Sequence, residues 1–189
     1  MRKSRQQPRK EADIKTLYLI RHAKSSWGKD DRSDIMRKIS KRGLKDLKMM
    51  GSYLALRNVK PDFLLSSCAL RAQQTAESLA MRIDYTGDIQ YMDELYLTKM
   101  EMVLNVLSTQ EDSYDSIFFI GHNPALTELA KLWVKDYFFK FPSLGILALN
   151  FNIDSWNELL QMEKPKIDFF IFPKQFKYYM PKQIRDTLS

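Results

Sequence analysis

The chain has 189 residues, 44% of them hydrophobic, which is enough for one domain with a sizeable core. No apolar run approaches the roughly 18 to 20 residues that cross a bilayer, the charged N-terminus lacks a signal peptide's apolar stretch, and the single cysteine, Cys68, permits neither an internal disulfide nor a thiolate metal cluster; a cytoplasmic protein with no membrane partner is expected. The net charge of +7 lies in the ends, because residues 16–172 carry 20 basic and 20 acidic side chains; nucleic acid is therefore not an expected partner, and a tail-driven polyanion binder stays only as an alternative.

Residues 1–14 are polar, basic and free of apolar periodicity, so they read as a disordered extension. A domain is expected over 15–175 and a C-terminal tail over 176–189. Within the domain an apolar run of strand character at 16–20 precedes a segment of helical period at 40–57, where Leu44, Leu47, Met50, Leu54 and Ala55 form one face and Lys41, Lys45 and Lys48 the other. A strand at 62–66 and helices at 69–82 and 99–107 follow, then a strand at 116–120, a helix at 124–135, and strands at 146–151 and 168–172. This alternation predicts an α/β fold, a three-layer α/β/α sandwich with a mostly parallel central sheet covered on both faces. The last two strands have no clear helical period between them, so one antiparallel strand is expected. Trp133, Tyr137, Phe138, Phe139 and Phe141 form an aromatic cluster that reads as core packing, with pocket lining as the alternative.

In open α/β sheets, reacting groups gather where strands end and the chain turns into the next helix. The chain has two histidines, and each closes an apolar strand: LYLI-Arg21-His22 and IFFI-Gly121-His122-Asn123-Pro124. A third strand runs out through Ser66-Ser67-Cys68-Ala69-Leu70 to Arg71. Were these strands neighbours, Arg21, His22, Arg71 and His122 would converge on one crevice. Guanidinium forks bind phosphate oxygens bidentately and a helix N-terminus adds oriented N–H donors, so the set suits a phosphoryl group. It suits a metal poorly, since arginines would stand beside any cation held by two histidines; no metal and no cofactor are expected.

The segment LIRHAKSSW (19–27) resembles the opening signature of the histidine phosphatase superfamily, in the form used by SixA-like phosphohistidine phosphatases. RKISKRG (37–43) is similar to that family's Arg-Pro-Leu-x-x-Arg-Gly segment, with Lys38 where proline is usual, and SSCALRAQQTA (66–76) to its Ser-Ser-x-x-x-Arg-x-x-Gln-Thr-Ala helix start. GHNP (121–124), ILAL (146–149) and FIFPK (170–174) resemble the second histidine motif and the closing strands, so the resemblance spans about residues 16–175. It implies a phosphoglycerate-mutase-like fold, adjacency of the three strand ends, and a covalent phosphohistidine on His22. It also implies that Arg21 and Arg71 hold the phosphoryl oxygens while a protonated His122 donates to them. Arg37 maps onto a third phosphate-contacting arginine, and Lys24, Ser25 and Asn123 stand beside the motif histidines as candidate substrate contacts. Glu94 is the candidate general acid.

The expected function is thus a metal-independent phosphatase, with a phosphohistidine-bearing protein as the leading substrate and phosphate as product. The absence of a large cap insertion favours an open site for a protein substrate. A small phosphate ester is the alternative substrate, and a non-catalytic phosphate-binding module the alternative class.

Overall fold

The computed structural model describes residues 14–27, 33–134, 140–161 and 164–179. The rest of the basic extension, the end of the tail from 180, and Tyr137, Phe138 and Phe139 lie outside the described residues. The elements in chain order are β1 (Ile14–Arg21), α1 (Lys41–Leu56), β2 (Phe63–Ser67), α2 (Leu70–Arg82), β3 (Ile89–Met92), α3 (Met100–Ser108), β4 (Ser116–Gly121), α4 (Ala125–Trp133), β5 (Ile146–Asn152), β6 (Lys166–Ile171) and α5 (Pro173–Tyr179). Three 3-10 turns, at Asp34–Met36, Asp93–Leu95 and Trp156–Leu160, sit between them.

The strands form one sheet in the order β3-β2-β4-β1-β5-β6. β1, β2, β3 and β4 pair in parallel, and β5 runs antiparallel to both β1 and β6. One strand is therefore antiparallel, as the missing helix between the last two strands predicts. Alternate strand residues sort onto two faces, because successive side chains point to opposite sides of a pleated strand. Leu17, Leu19, Ile117, Phe119, Leu147 and Leu149 pack with residues of α3, α4 and the Trp156–Leu160 turn. Ile20, Phe118, Ile120, Ile146 and Ala148 pack with residues of α1 and α2 and with Phe176 of α5. Helices thus cover both faces, and the fold is the three-layer sandwich expected. Trp133 and Phe141 are buried in the first of these cores.

Three local readings differ from expectation for physical reasons. The buried face of α1 is Gly43, Leu47, Met50, Gly51 and Leu54, whereas Leu44 and Ala55 are exposed. The two glycines replace apolar side chains because the helix lies too close to its neighbours: a Cβ at Gly43 would collide with the Lys24 carbonyl, and one at Gly51 with the Arg82 stem. β3 has no apolar run to announce it, being four residues long on the sheet edge with both middle residues exposed. Lys15 is only 1% exposed; its ammonium donates to the Asp112 and Tyr114 carbonyls at 2.7 and 3.0 Å and pairs with Asp115, anchoring the start of β1.

Candidate active site

The sheet order sets β4 between β1 and β2. In the parallel ladder Arg21 pairs with Gly121 and Ser66 with Ile120, so the residues that follow, His22, His122 and the Ser67–Arg71 segment, leave three adjacent strands at one level. The His22 and His122 ring centroids are 5.0 Å apart with planes tilted by 53°. Arg21, His22, Arg37, Arg71, His122 and Asn123 line a single cleft of about 430 Å³, together with Lys24, Ser25 and Asp34. The structure brings every expected site residue to this cleft except Glu94. That residue is exposed on the Asp93–Leu95 turn and lies outside the cleft lining.

His22 is held from several sides. Its backbone N–H donates to the Gly121 carbonyl at 3.1 Å, and its Nδ1 lies 2.8 Å from the Ala23 carbonyl oxygen. A carbonyl only accepts, so Nδ1 carries the proton and the Nε2 lone pair is left for chemistry. Thr75 of α2 clamps the next peptide: the Ala23 N–H donates to Thr75 Oγ1 at 3.0 Å, and that hydroxyl donates to the Arg71 carbonyl at 2.6 Å. His122 Nε2 meets Ser67 Oγ at 2.9 Å, and His122 Nδ1 is buried with no hydrogen-bond partner among the described residues.

The arginines are oriented by acceptors. Arg21 donates to the Phe141 carbonyl at 2.7 Å, as does Asn123 at 3.0 Å. Arg37 donates to Ser25 Oγ, pairs with Asp34 Oδ1 at 3.1 Å and lies over the Trp27 ring. The segment that carries Arg37 is fixed in three ways despite Lys38 standing at the usual proline. Ser40, the cap of α1, donates to the Lys24 carbonyl at 2.9 Å and accepts from Gly43, Ser26 donates to the Lys38 carbonyl at 3.3 Å, and Gln74 of α2 accepts from the Ile39 N–H at 2.9 Å. Arg71, 3% exposed, donates through Nη1 to the Asp34 carbonyl at 2.6 Å and through Nη2 to Asp34 Oδ2 at 2.9 Å. Tyr96 completes the group, its hydroxyl donating to the same carboxylate at 2.8 Å and its ring edge-on to His122.

Asp34, Ser67, Tyr96, Gln74 and Thr75 are thus the site residues that sequence reasoning missed. Asp34 stands in a polar run that reads as a solvated charge, and its one usable signal is the spacing of three residues to Arg37. Burial raises the Asp34 carboxyl, but the Tyr96 hydroxyl, Arg71 and Arg37 outweigh it and hold the group below the ordinary carboxylate value. Asp34 is ionised and spans two guanidiniums. Asp34→Asn keeps the shape and removes the charge; kcat/KM is expected to fall about tenfold, because both arginines lose the charge-assisted acceptor that orients them. Steady-state kinetics beside an unchanged circular-dichroism spectrum checks this.

Both imidazoles are pushed down to about 3. For His22 burial is the main cause, followed by His122, with Arg71 and Arg21 adding to it against the Ala23 hydrogen bond. For His122 burial again leads, then Arg71, against Asp34. The free site therefore holds two neutral rings. In the unfolded chain each ring takes its proton near 6.5. Between that value and about 3 the unfolded state binds more protons, so acid erodes stability across this window. The urea midpoint is expected to fall from about pH 7 to about pH 4.5, with a shallower fall in His122→Asn, which removes one of the two titrations.

Among the described residues no three His, Cys, Asp or Glu side chains are placed to hold a metal ion, and no helix is long and apolar enough to cross a membrane. The cleft's positive charge comes from Arg21, Arg37, Arg71 and Lys24. The sequence pattern of the histidine phosphatase superfamily, branch 1, matches residues 17–103. A proposed phosphohistidine phosphatase, SixA of Agrobacterium tumefaciens, is 26% identical and superposes with a TM-score of 0.70 over 83% of this chain and 97% of that one. The protein histidine phosphatase SixA complexed with tungstate shares the fold at 19% identity, with a TM-score of 0.72 over 85% of this chain and 99% of its own. An uncharacterised protein of Mycobacterium leprae is 23% identical over 167 residues, 82% of this chain and the whole of that one. The architecture is phosphoglycerate-mutase-like. With both histidine strand ends, the Arg71 helix start and this fold in place, the chain carries the pattern of the histidine phosphatase superfamily over residues 17–103 within a phosphoglycerate-mutase-like fold.

Proposed function

We propose that the protein is a phosphatase that transfers the phosphoryl group to His22 and then to water, with phosphohistidine on a protein as its substrate. The observation that carries this reading is the bond from His22 Nδ1–H to the Ala23 carbonyl, which leaves Nε2 unprotonated in a cleft lined by Arg21, Arg37 and Arg71. Nε2 forms a bond to phosphorus as the bond to the leaving nitrogen breaks. The guanidiniums take up the charge on the equatorial oxygens, and His122, protonated beside that anion, donates from Nε2 to Ser67 Oγ and from its buried Nδ1 to the phosphoryl group. Water then breaks the Nε2–P bond and releases phosphate.

The substrate assignment follows from the acids present. An alcohol leaving group needs a proton from the enzyme. Glu94 stands outside the cleft, and Asp34, the one carboxylate among its described lining residues, is held ionised by its partners. An imidazole leaving group departs already protonated and needs neither. That the SixA phosphatase of this fold is complexed with tungstate, a tetrahedral oxyanion, supports the reading.

Hydrolysis of a phosphohistidine-bearing protein, run beside a generic aryl phosphate with EDTA present, tests the reading. EDTA-resistant turnover, faster on phosphohistidine and lost in His22→Ala, is the expected result. Faster turnover of the ester would replace the substrate assignment. No turnover of either by pure wild-type protein would leave a phosphate-binding module.

A further inference from the structure

A phosphoryl group fills only the floor of the cleft, and what carries it must lie against the adjoining surface. Next to the cleft, sharing Lys24 and Ser143 with it, runs a groove of about 580 Å³. Four cations from four parts of the chain rim it: Lys24 after β1, Arg42 in the first turn of α1, Lys140 ahead of β5, and Lys174 on α5. Asp46, paired with Arg42 at 3.8 Å, is the sole carboxylate of its described lining. Lys24, Lys140 and Lys174 form no ion pair among the described residues. Its wall is aromatic, with Phe170 and Phe172 half-buried and their ring centroids 5.5 Å apart. Nothing in the catalytic scheme uses this groove.

We propose that the groove docks an acidic polypeptide segment that carries an apolar or aromatic side chain, flanking the phosphorylated residue of a protein substrate. The net positive rim selects carboxylates, and the aromatic wall takes a side chain that a small phosphate ester or a bare polyanion lacks. Separation of the cations around an apolar wall also differs from the continuous basic stripe that tracks a nucleic-acid backbone. The placement of this segment beside a phosphorylated residue rests on the phosphatase reading, whereas the groove's selection of acidic peptide does not.

The test uses the full chain and Lys140→Glu/Lys174→Glu, two exposed positions outside the catalytic cleft. Fluorescence anisotropy reads binding of a short labelled Glu- and Phe-containing peptide without phosphate, against its Gln-substituted analogue. The wild type should prefer the acidic peptide by about tenfold at low ionic strength, and the variant should lose that preference. Equal affinity of the wild type for both peptides, or single-stranded DNA displacing the peptide at equal charge concentration, would overturn the proposal. In turnover, the variant should raise KM for an acid-flanked phosphohistidine peptide by about tenfold and leave hydrolysis of phosphoramidate, which has no flanks, unchanged. Loss of phosphoramidate turnover in the wild type would count against the phosphatase reading and leave the binding result to decide on the groove.

Discussion

His22→Ala is expected to lower kcat by roughly 10⁴- to 10⁶-fold, because it removes the atom that bonds to phosphorus and no neighbouring group can replace it. The other imidazole cannot substitute. His122 Nε2 is engaged by Ser67 Oγ, and the two ring centroids are 5.0 Å apart, so a phosphorus placed in line with one ring is out of line with the other. Quenched-flow labelling separates this loss from simple misfolding: the wild type should accumulate an acid-labile phosphoenzyme, His122→Ala should form it more slowly, and His22→Ala should not form it. The His22 ring is buried and bonded to the Ala23 carbonyl, so His22→Gln, which can keep a donor there, is the control for packing. Label retained by either His22 variant would move the nucleophile elsewhere.

The parts of this site that were legible in the sequence are those whose signal is local. An apolar run that stops at Arg21-His22 or Gly121-His122 places a reactive side chain at a strand end without knowledge of any other strand. Convergence is different, because periodicity does not order strands in a sheet; the pairing of Arg21 with Gly121 and of Ser66 with Ile120 is a tertiary fact that only the family resemblance anticipated. The misplaced acid follows the same division. Glu94 stands at a plausible distance after the third strand, yet the Asp93–Leu95 turn faces it outward and delivers Tyr96, two residues later, to Asp34 and His122. Asp34 was illegible because its decisive partner, Arg71, is 37 residues away. The α1 face misled for a simpler reason. An apolar period cannot distinguish a leucine that faces solvent from a glycine that lets the helix close on the Lys24 carbonyl.

Arg71→Ala should cost about 10²- to 10³-fold in kcat/KM, the range found when one preorganised donor to a developing oxyanion is removed. It carries more than its own contact. Arg71 fixes Asp34 through both a carbonyl and a carboxylate oxygen, and Asp34 in turn fixes Arg37 and Tyr96, so one truncation loosens three groups around the phosphoryl position. Arg71→Lys should recover little, because an ammonium is a single point donor and cannot bridge two acceptors while presenting a further N–H to the substrate. The electrostatic consequence has a definite sign. Arg71 is, after burial, the largest cause that lowers His122, so its removal should move the His122 titration upward toward the ordinary imidazole value. A tautomer-sensitive ¹⁵N spectrum of the two histidines across a pH series would read that shift directly, without reference to turnover. An Arg71→Ala protein with the expected kinetic loss and an unmoved His122 titration would mean that the arginine acts only by contact with substrate. An upward shift would show that the same guanidinium keeps His122 neutral in the empty cleft.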